Sequence, residues 1–318
     1  MINTPYKQLE KGDNQMHPGW QFLTFIGIFI FVFIAGNLIG SGIVIGLYGM
    51  KTFASLASLD MTVPHFMTSI WIIQTAGTTL PILLSPLFFA WVIMRDVPGY
   101  IKPTSRFPWT LLVIVLAVMF LSMPLIEFLS NLNQKMVLPP WLKWMKESEE
   151  QTEKLMEGML KMGSLWDVIS NVLFIGLFTA IAEEFMFRGV LQTIFYKWTK
   201  NMHVAIWITA ILFSAFHMEF FGFLPRLLLG LFFGYFVAWS GSIWTGVWAH
   251  FINNATIVIV TYLFQQKVFT GDVNNQHVFN NIAYAISLVV TAALLISYKK
   301  VTDSRKLQPL LSNGEELD

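Results

Sequence analysis

Long apolar runs separated by short polar stretches dominate the chain. They fall at 20–47, 66–94, 108–132, 165–187, 203–218, 224–240, 243–264 and 279–298. A helix needs about 20 mostly apolar residues to cross a bilayer, so the pattern predicts an all-α integral membrane protein with about eight transmembrane helices. The fifth and sixth runs are short and close together, and they could be one span split in two. No period-two alternation points to a barrel instead. Segment 133–164 stands apart. After Pro139-Pro140, residues Trp141, Leu142, Trp144, Met145, Leu155, Met156, Met159 and Leu160 recur at helical spacing among charges, which predicts an amphipathic helix at the membrane interface. The expected organisation is an N-terminal tail (1–19), a three-helix membrane region (20–132), the interfacial segment (133–164), a second membrane core (165–298) and a C-terminal tail (299–318).

Composition sharpens this reading. Charged residues make up 12% of the 318 residues and the mean hydropathy is +0.60, against about 25% charged in soluble domains. That excludes a disordered chain, a collagen-like fibre and a disulfide-rich module, and argues against a soluble enzyme. A net charge of +1 provides no field to hold nucleic acid. The absence of cysteine removes thiolate nucleophiles and Cys-based metal sites. Lys and Arg weight the side that holds both termini, which the positive-inside rule places in the cytoplasm. Glu10 and Asp13 precede a first apolar run too long for a cleaved signal, so a retained anchor is expected. Small-xxx-small pairs at Gly36/Gly40, Gly42/Gly46 and Gly230/Gly234 predict close helix packing.

Ionisable residues inside spans are costly and default to functional candidates. Apart from Glu127, read as structural, the first half of the chain has almost none. The second half carries Glu183, Glu184, Arg188, His217, Glu219, His250, Asn253 and Asn254. On a helix, Glu184 and Arg188 lie one turn apart in the favourable order, while Glu183 points about 100° away. Glu184 is then held by Arg188 and Glu183 is free to act as a general base. His250 and Asn254 share one face and can donate hydrogen bonds toward a developing oxyanion. Each group alone also reads as structure: an ion pair, a satisfied core histidine, inter-helix hydrogen bonds. Arg226 and Glu219 read as loop or interface residues.

Glu-Glu-x-x-x-Arg at 183–188, Phe-x-x-x-His at 213–217 and His-x-x-x-Asn at 250–254, in that order on apolar helices, resemble the three motifs of the CPBP (ABI) family. That family includes type II CAAX prenyl endopeptidases and bacteriocin-processing or immunity proteins. The resemblance covers about 165–264, and the first 160 residues match nothing beyond membrane helices. It implies a glutamate-dependent intramembrane endopeptidase with catalytic residues Glu183, Glu184, Arg188, His217, His250 and Asn254. In that scheme Glu183 and His217 activate water, His250 and Asn254 hold the oxyanion, and Glu184 and Arg188 organise the site. No cofactor is expected; the alternative is zinc held by Glu183, His217 and His250. A protein or peptide substrate, lipid-modified or membrane-associated, and the bilayer are the implied partners. The rivals are a non-catalytic immunity or scaffold protein and a proton-coupled transporter.

Overall fold

The structure is a computed structural model that describes residues 16–268 and 278–312, with side chains described through residue 304. Among the described residues every regular element is helical. The helices are α1 (Pro18–Ser58), α2 (Phe66–Ile93), α3 (Val97–Ile101), α4 (Thr110–Leu121), α5 (Met123–Gln134), α6 (Lys143–Met159), α7 (Leu165–Thr199), α8 (Met202–Phe216), α9 (Phe223–Ser240), α10 (Ile243–Gln265) and α11 (Asn281–Ser312). In hydrocarbon a chain must satisfy its own backbone hydrogen bonds, and helices do this locally.

All eight expected apolar segments are helical, but they are not equivalent. Six helices are long and apolar enough to cross a membrane, and a seventh span results if α4 and α5 count as one segment bent by 43°. Pro124 sits at the start of α5, immediately after this bend. The eighth, α8, has only 15 residues, too few for a full crossing at 1.5 Å per residue. It is nevertheless separate from α9, so the fifth and sixth runs are two helices. α11 continues to Ser312, beyond the apolar run that ends at 298.

Local sequence explains the element ends near the site. Ser164 and Asp167 form a reciprocal capping box at the start of α7. The side chain of Asn201 accepts from two backbone amides at the start of α8. Gly241, at φ 74°, ends α9, and Ser242 then caps α10. α7 is not a uniform α-helix. Two π-helical stretches, Val172–Phe178 and Phe185–Leu191, flank the α-helical turn that carries Glu183 and Glu184.

The core gathers α7 to α10 against α2, α3 and α4, with Phe187, Phe213, Phe233, Phe236 and Val237 buried. Gly230 and Gly234 do allow close packing: a Cβ on Gly230 would sit 3.1 Å from Ala210, and one on Gly234 2.8 Å from Ile206. Gly36 and Gly40 pack on Ala76 in the same way, whereas Gly42 and Gly46 face open space. The expectation of close packing at that last pair is therefore corrected. Helix α6 forms as the amphipathic pattern predicts and has no buried residue. It is tied down by Glu149, whose carboxylate accepts from the amide of Phe221.

Candidate active site

Three helices bring the motif residues together. Glu184 and Arg188 are fully buried on α7, and the Arg188 Nη1 donates to Glu184 Oε1 at 2.6 Å. Its Nη2 donates to the carbonyl of Gly230 on α9 at 3.1 Å. The guanidinium carbon lies 4.3 Å from the ring centre of Phe213 and 5.1 Å from that of Phe233, an arrangement that stabilises a desolvated cation. Charge, aromatic faces and a carbonyl thus offset the cost of burying Arg188.

His250 on α10 extends this network. Its Nδ1 lies 3.1 Å from Glu184 Oε1, and its ring stacks on Phe233 at 4.9 Å and 20°. A carboxylate paired with Arg188 accepts hydrogen bonds, so the hydrogen belongs on Nδ1, and Nε2 is turned toward Glu183 Oε2, 3.8 Å away. His217 caps the end of α8, and its Nδ1 lies 2.8 Å from the carbonyl of Phe213. A carbonyl can only accept, so here too Nδ1 carries the hydrogen. The Nε2 of His217 faces Glu183 Oε2 at 4.0 Å. Glu183 is nine-tenths buried, and its Oε2 has no hydrogen-bond partner within the protein. Two imidazole Nε2 atoms therefore converge on one unpartnered carboxylate oxygen.

Asn254 does not join them. Its Nδ2 donates to the carbonyl of Ile175 on α7, and its Oδ1 accepts from Asn253, both at 3.2 Å. In this arrangement the amide braces α10 against the first π-helical stretch of α7. The expectation that His250 and Asn254 aim at one point is corrected accordingly. Glu219 and Arg226 pair with each other in the loop after His217 and at the start of α9. Glu127 accepts from the amides of Val278 and Phe279 and from the Tyr284 hydroxyl, tying down the start of α11.

Sequence reasoning missed three supporting residues. Gln192, one turn beyond Arg188, donates to the carbonyl of Gly234 at 3.3 Å, repeating one turn on what Arg188 does at Gly230. Its signal was the matched spacing of 188/192 and 230/234. Gly246 leaves room for Glu184: a Cβ there would lie 2.7 Å from Glu184 Oε2. Lys102 is buried and lies within 3.5 Å of three oxygens, on Tyr100, Gly189 and Thr193. Burial and the neighbouring positive charge of Lys197 pull it down to about 7.

Among the described residues no group of three or more His, Asp or Glu side chains is placed to hold an ion.

With this geometry in hand, residues 165–256 match the family model described as "Rce1-like: Type II CAAX prenyl endopeptidase Rce1-like". Residues 165–256 are Rce1-like. The matched span contains α7, α8, α9 and the part of α10 that carries His250 and Asn254, so all three motifs lie in the Rce1-like segment. A curated relative, "Uncharacterized protein YpbD" of Bacillus subtilis (strain 168), is 31% identical over 91 residues, 27% of this chain and 43% of that protein. The chain spans less than half the length of the curated relative it matches. No solved structure matches. An Rce1-like segment within a set of long apolar helices makes this an integral, multi-pass membrane protein.

Proposed function

We propose that the protein is an intramembrane endopeptidase in which Glu183 activates water. The observation that carries this reading is the unpartnered Glu183 Oε2, buried and faced by the Nε2 atoms of His217 and His250 at 4.0 and 3.8 Å. Glu183 takes a proton from water, with the His217 Nε2 lone pair as a second acceptor. The resulting hydroxide adds to the peptide carbonyl carbon and the carbonyl oxygen becomes an oxyanion. Donation from His250 Nε2 to that oxyanion requires the imidazolium form of the ring. The C–N bond then breaks, and the proton held by Glu183 passes to the leaving amine. Glu184 and Arg188 fix His250 rather than touch substrate. Asn254 contributes to the oxyanion site only if its amide turns from Ile175. The Rce1-like match supports the protease class. The substrate is a peptide segment presented at the membrane, lipid-modified or not, and both termini lie in the cytoplasm. No step is routed through a metal.

The test compares N- and C-terminal peptides of the membrane proteome from cells with wild-type and Glu183→Gln protein, each with and without a chelator. Wild-type-specific cleavage products that vanish in Glu183→Gln, by about 100-fold or more, and persist with chelator are expected. Undiminished cleavage by Glu183→Gln overturns the mechanism. Loss with chelator returns zinc to the site. Proton-coupled flux in liposomes without cleavage favours a transporter.

A further inference from the structure

The segment between α3 and α4 contacts two of the three helices that carry the candidate catalytic groups, α7 and α10. From its side chain, Lys102 Nζ donates to the Thr193 hydroxyl at 2.5 Å, to the Tyr100 carbonyl at 2.8 Å and to the Gly189 carbonyl at 3.5 Å. Thr193 in turn donates to the Gly189 carbonyl at 2.6 Å. Gly189 follows Arg188 directly in the second π-helical stretch. From its backbone, the same segment accepts three hydrogen bonds from the start of α10: Ile243 N to Lys102 O at 3.1 Å, Trp244 Nε1 to Pro103 O at 3.0 Å, and Ser242 Oγ to Thr104 O at 2.5 Å. Ile243 lies two turns before His250.

We infer that Lys102-Pro103-Thr104 is a clamp that sets the register between α7 and α10, and that Lys102 is a positioning residue for the Glu184–His250 contact. The inference rests on the proposed function for its catalytic consequence, but the clamp itself is a geometric claim. A change of a few tenths of an ångström between the helices alters the 3.1 Å contact from His250 to Glu184, and with it the direction of His250 Nε2. An ammonium has three hydrogens for the three oxygens around Lys102. A neutral amine has two, and the 3.5 Å contact to Gly189 is the weakest and the first to go. Lys197 and Asp96 act on Lys102 through their charges, and the Tyr100 hydroxyl accepts from Lys197, so loss of the Lys102 proton changes a local balance that contains two cations and one carboxylate.

The experiment uses full-length protein in detergent or liposomes, with Lys102→Met, Thr193→Val and Glu183→Gln compared with wild type. Amide hydrogen exchange is read over 185–191 and 243–250, and cleavage of a substrate from the proteome comparison is read as kcat, KM and pH profile. Faster exchange in both windows is expected for Lys102→Met and Thr193→Val. A kcat lowered about 10- to 100-fold with KM little changed is also expected, as is loss of an alkaline fall in wild-type activity centred near 7. Where Lys102→Met does not yield folded protein, Thr193→Val decides alone. Unchanged exchange overturns the clamp. Faster exchange with unchanged kcat and pH profile overturns the positioning role. Retained cleavage by Glu183→Gln strikes the catalytic reading instead, and the exchange result then still judges the clamp.

Discussion

At the residue scale, Glu183 and Glu184 are adjacent in sequence and opposite in circumstance. Glu184 is enclosed by Arg188, His250 and the space left by Gly246, while Glu183 faces two imidazoles without a hydrogen bond. Their amide variants should therefore differ. Glu184→Gln leaves the Arg188 guanidinium buried without its counter-charge, and breaking a buried pair costs about 3–5 kcal/mol. Glu183→Gln loses only the long contacts to His217 and His250, at 4.0 and 3.8 Å, and should stay within about 1 kcal/mol of wild type. Thermal unfolding in detergent checks both, and equal losses would contradict the division of roles. Gly246→Ala tests the same packing from the other side. Its Cβ would meet Glu184 Oε2 and Val237 Cγ2 at 2.7 Å, so a loss of about 1–3 kcal/mol is expected. The division between the two carboxylates was legible in the sequence because a helix separates neighbours by about 100°. The direction of Asn254 was not, since its amide finds a carbonyl on α7 that no spacing along α10 reveals.

At the element scale, hydrophobic runs located the helices because membrane burial writes itself into long apolar stretches. The short run at 203–218 already pointed to α8, which ends at Phe216 short of a full crossing, but no run could reveal that α7 changes between α and π geometry. Both features matter for the site: the π stretches bracket Glu183 and Glu184, and π segments within α-helices recur at functional positions. Helix α6 was legible from its amphipathic spacing, but its attachment was not. With no buried residue of its own, α6 depends on a few contacts. Glu149 reaches the Phe221 amide, Gly158 meets Met67, and just beyond its end the Met162 amide donates to Gln265. Glu149→Ala should speed amide exchange across 143–159 while leaving α7 and α10 unaffected. Unchanged exchange in α6 would show that Glu149 does not hold it.

At the scale of the whole molecule, the scarcity of charge divides the chain into a region that supplies packing and one that supplies chemistry, and Lys102 joins the two. It belongs to the first region by position and to the second by contact. Its burial also makes a prediction whose sign is unusual for a lysine. In the fold it is pulled down to about 7, chiefly by desolvation and then by Lys197; in the unfolded chain it returns to roughly 10.4. Between these values the unfolded chain binds a proton that the folded chain does not. Unfolding then takes up a proton, and stability rises with pH across that window. The cost of burying the charge is fully present below about 7 and is relieved as pH climbs toward the unfolded value. Lys102→Met removes the titrating group, so the difference in stability between variant and wild type should favour the variant most at pH 6 and shrink toward pH 10. Equilibrium unfolding at several pH values measures that difference directly. A difference independent of pH would mean that Lys102 keeps its proton in the fold, held by its three oxygen acceptors against desolvation. Activity is expected to move the opposite way over the same range, because the proton whose loss stabilises the fold is the one that completes the clamp on Gly189.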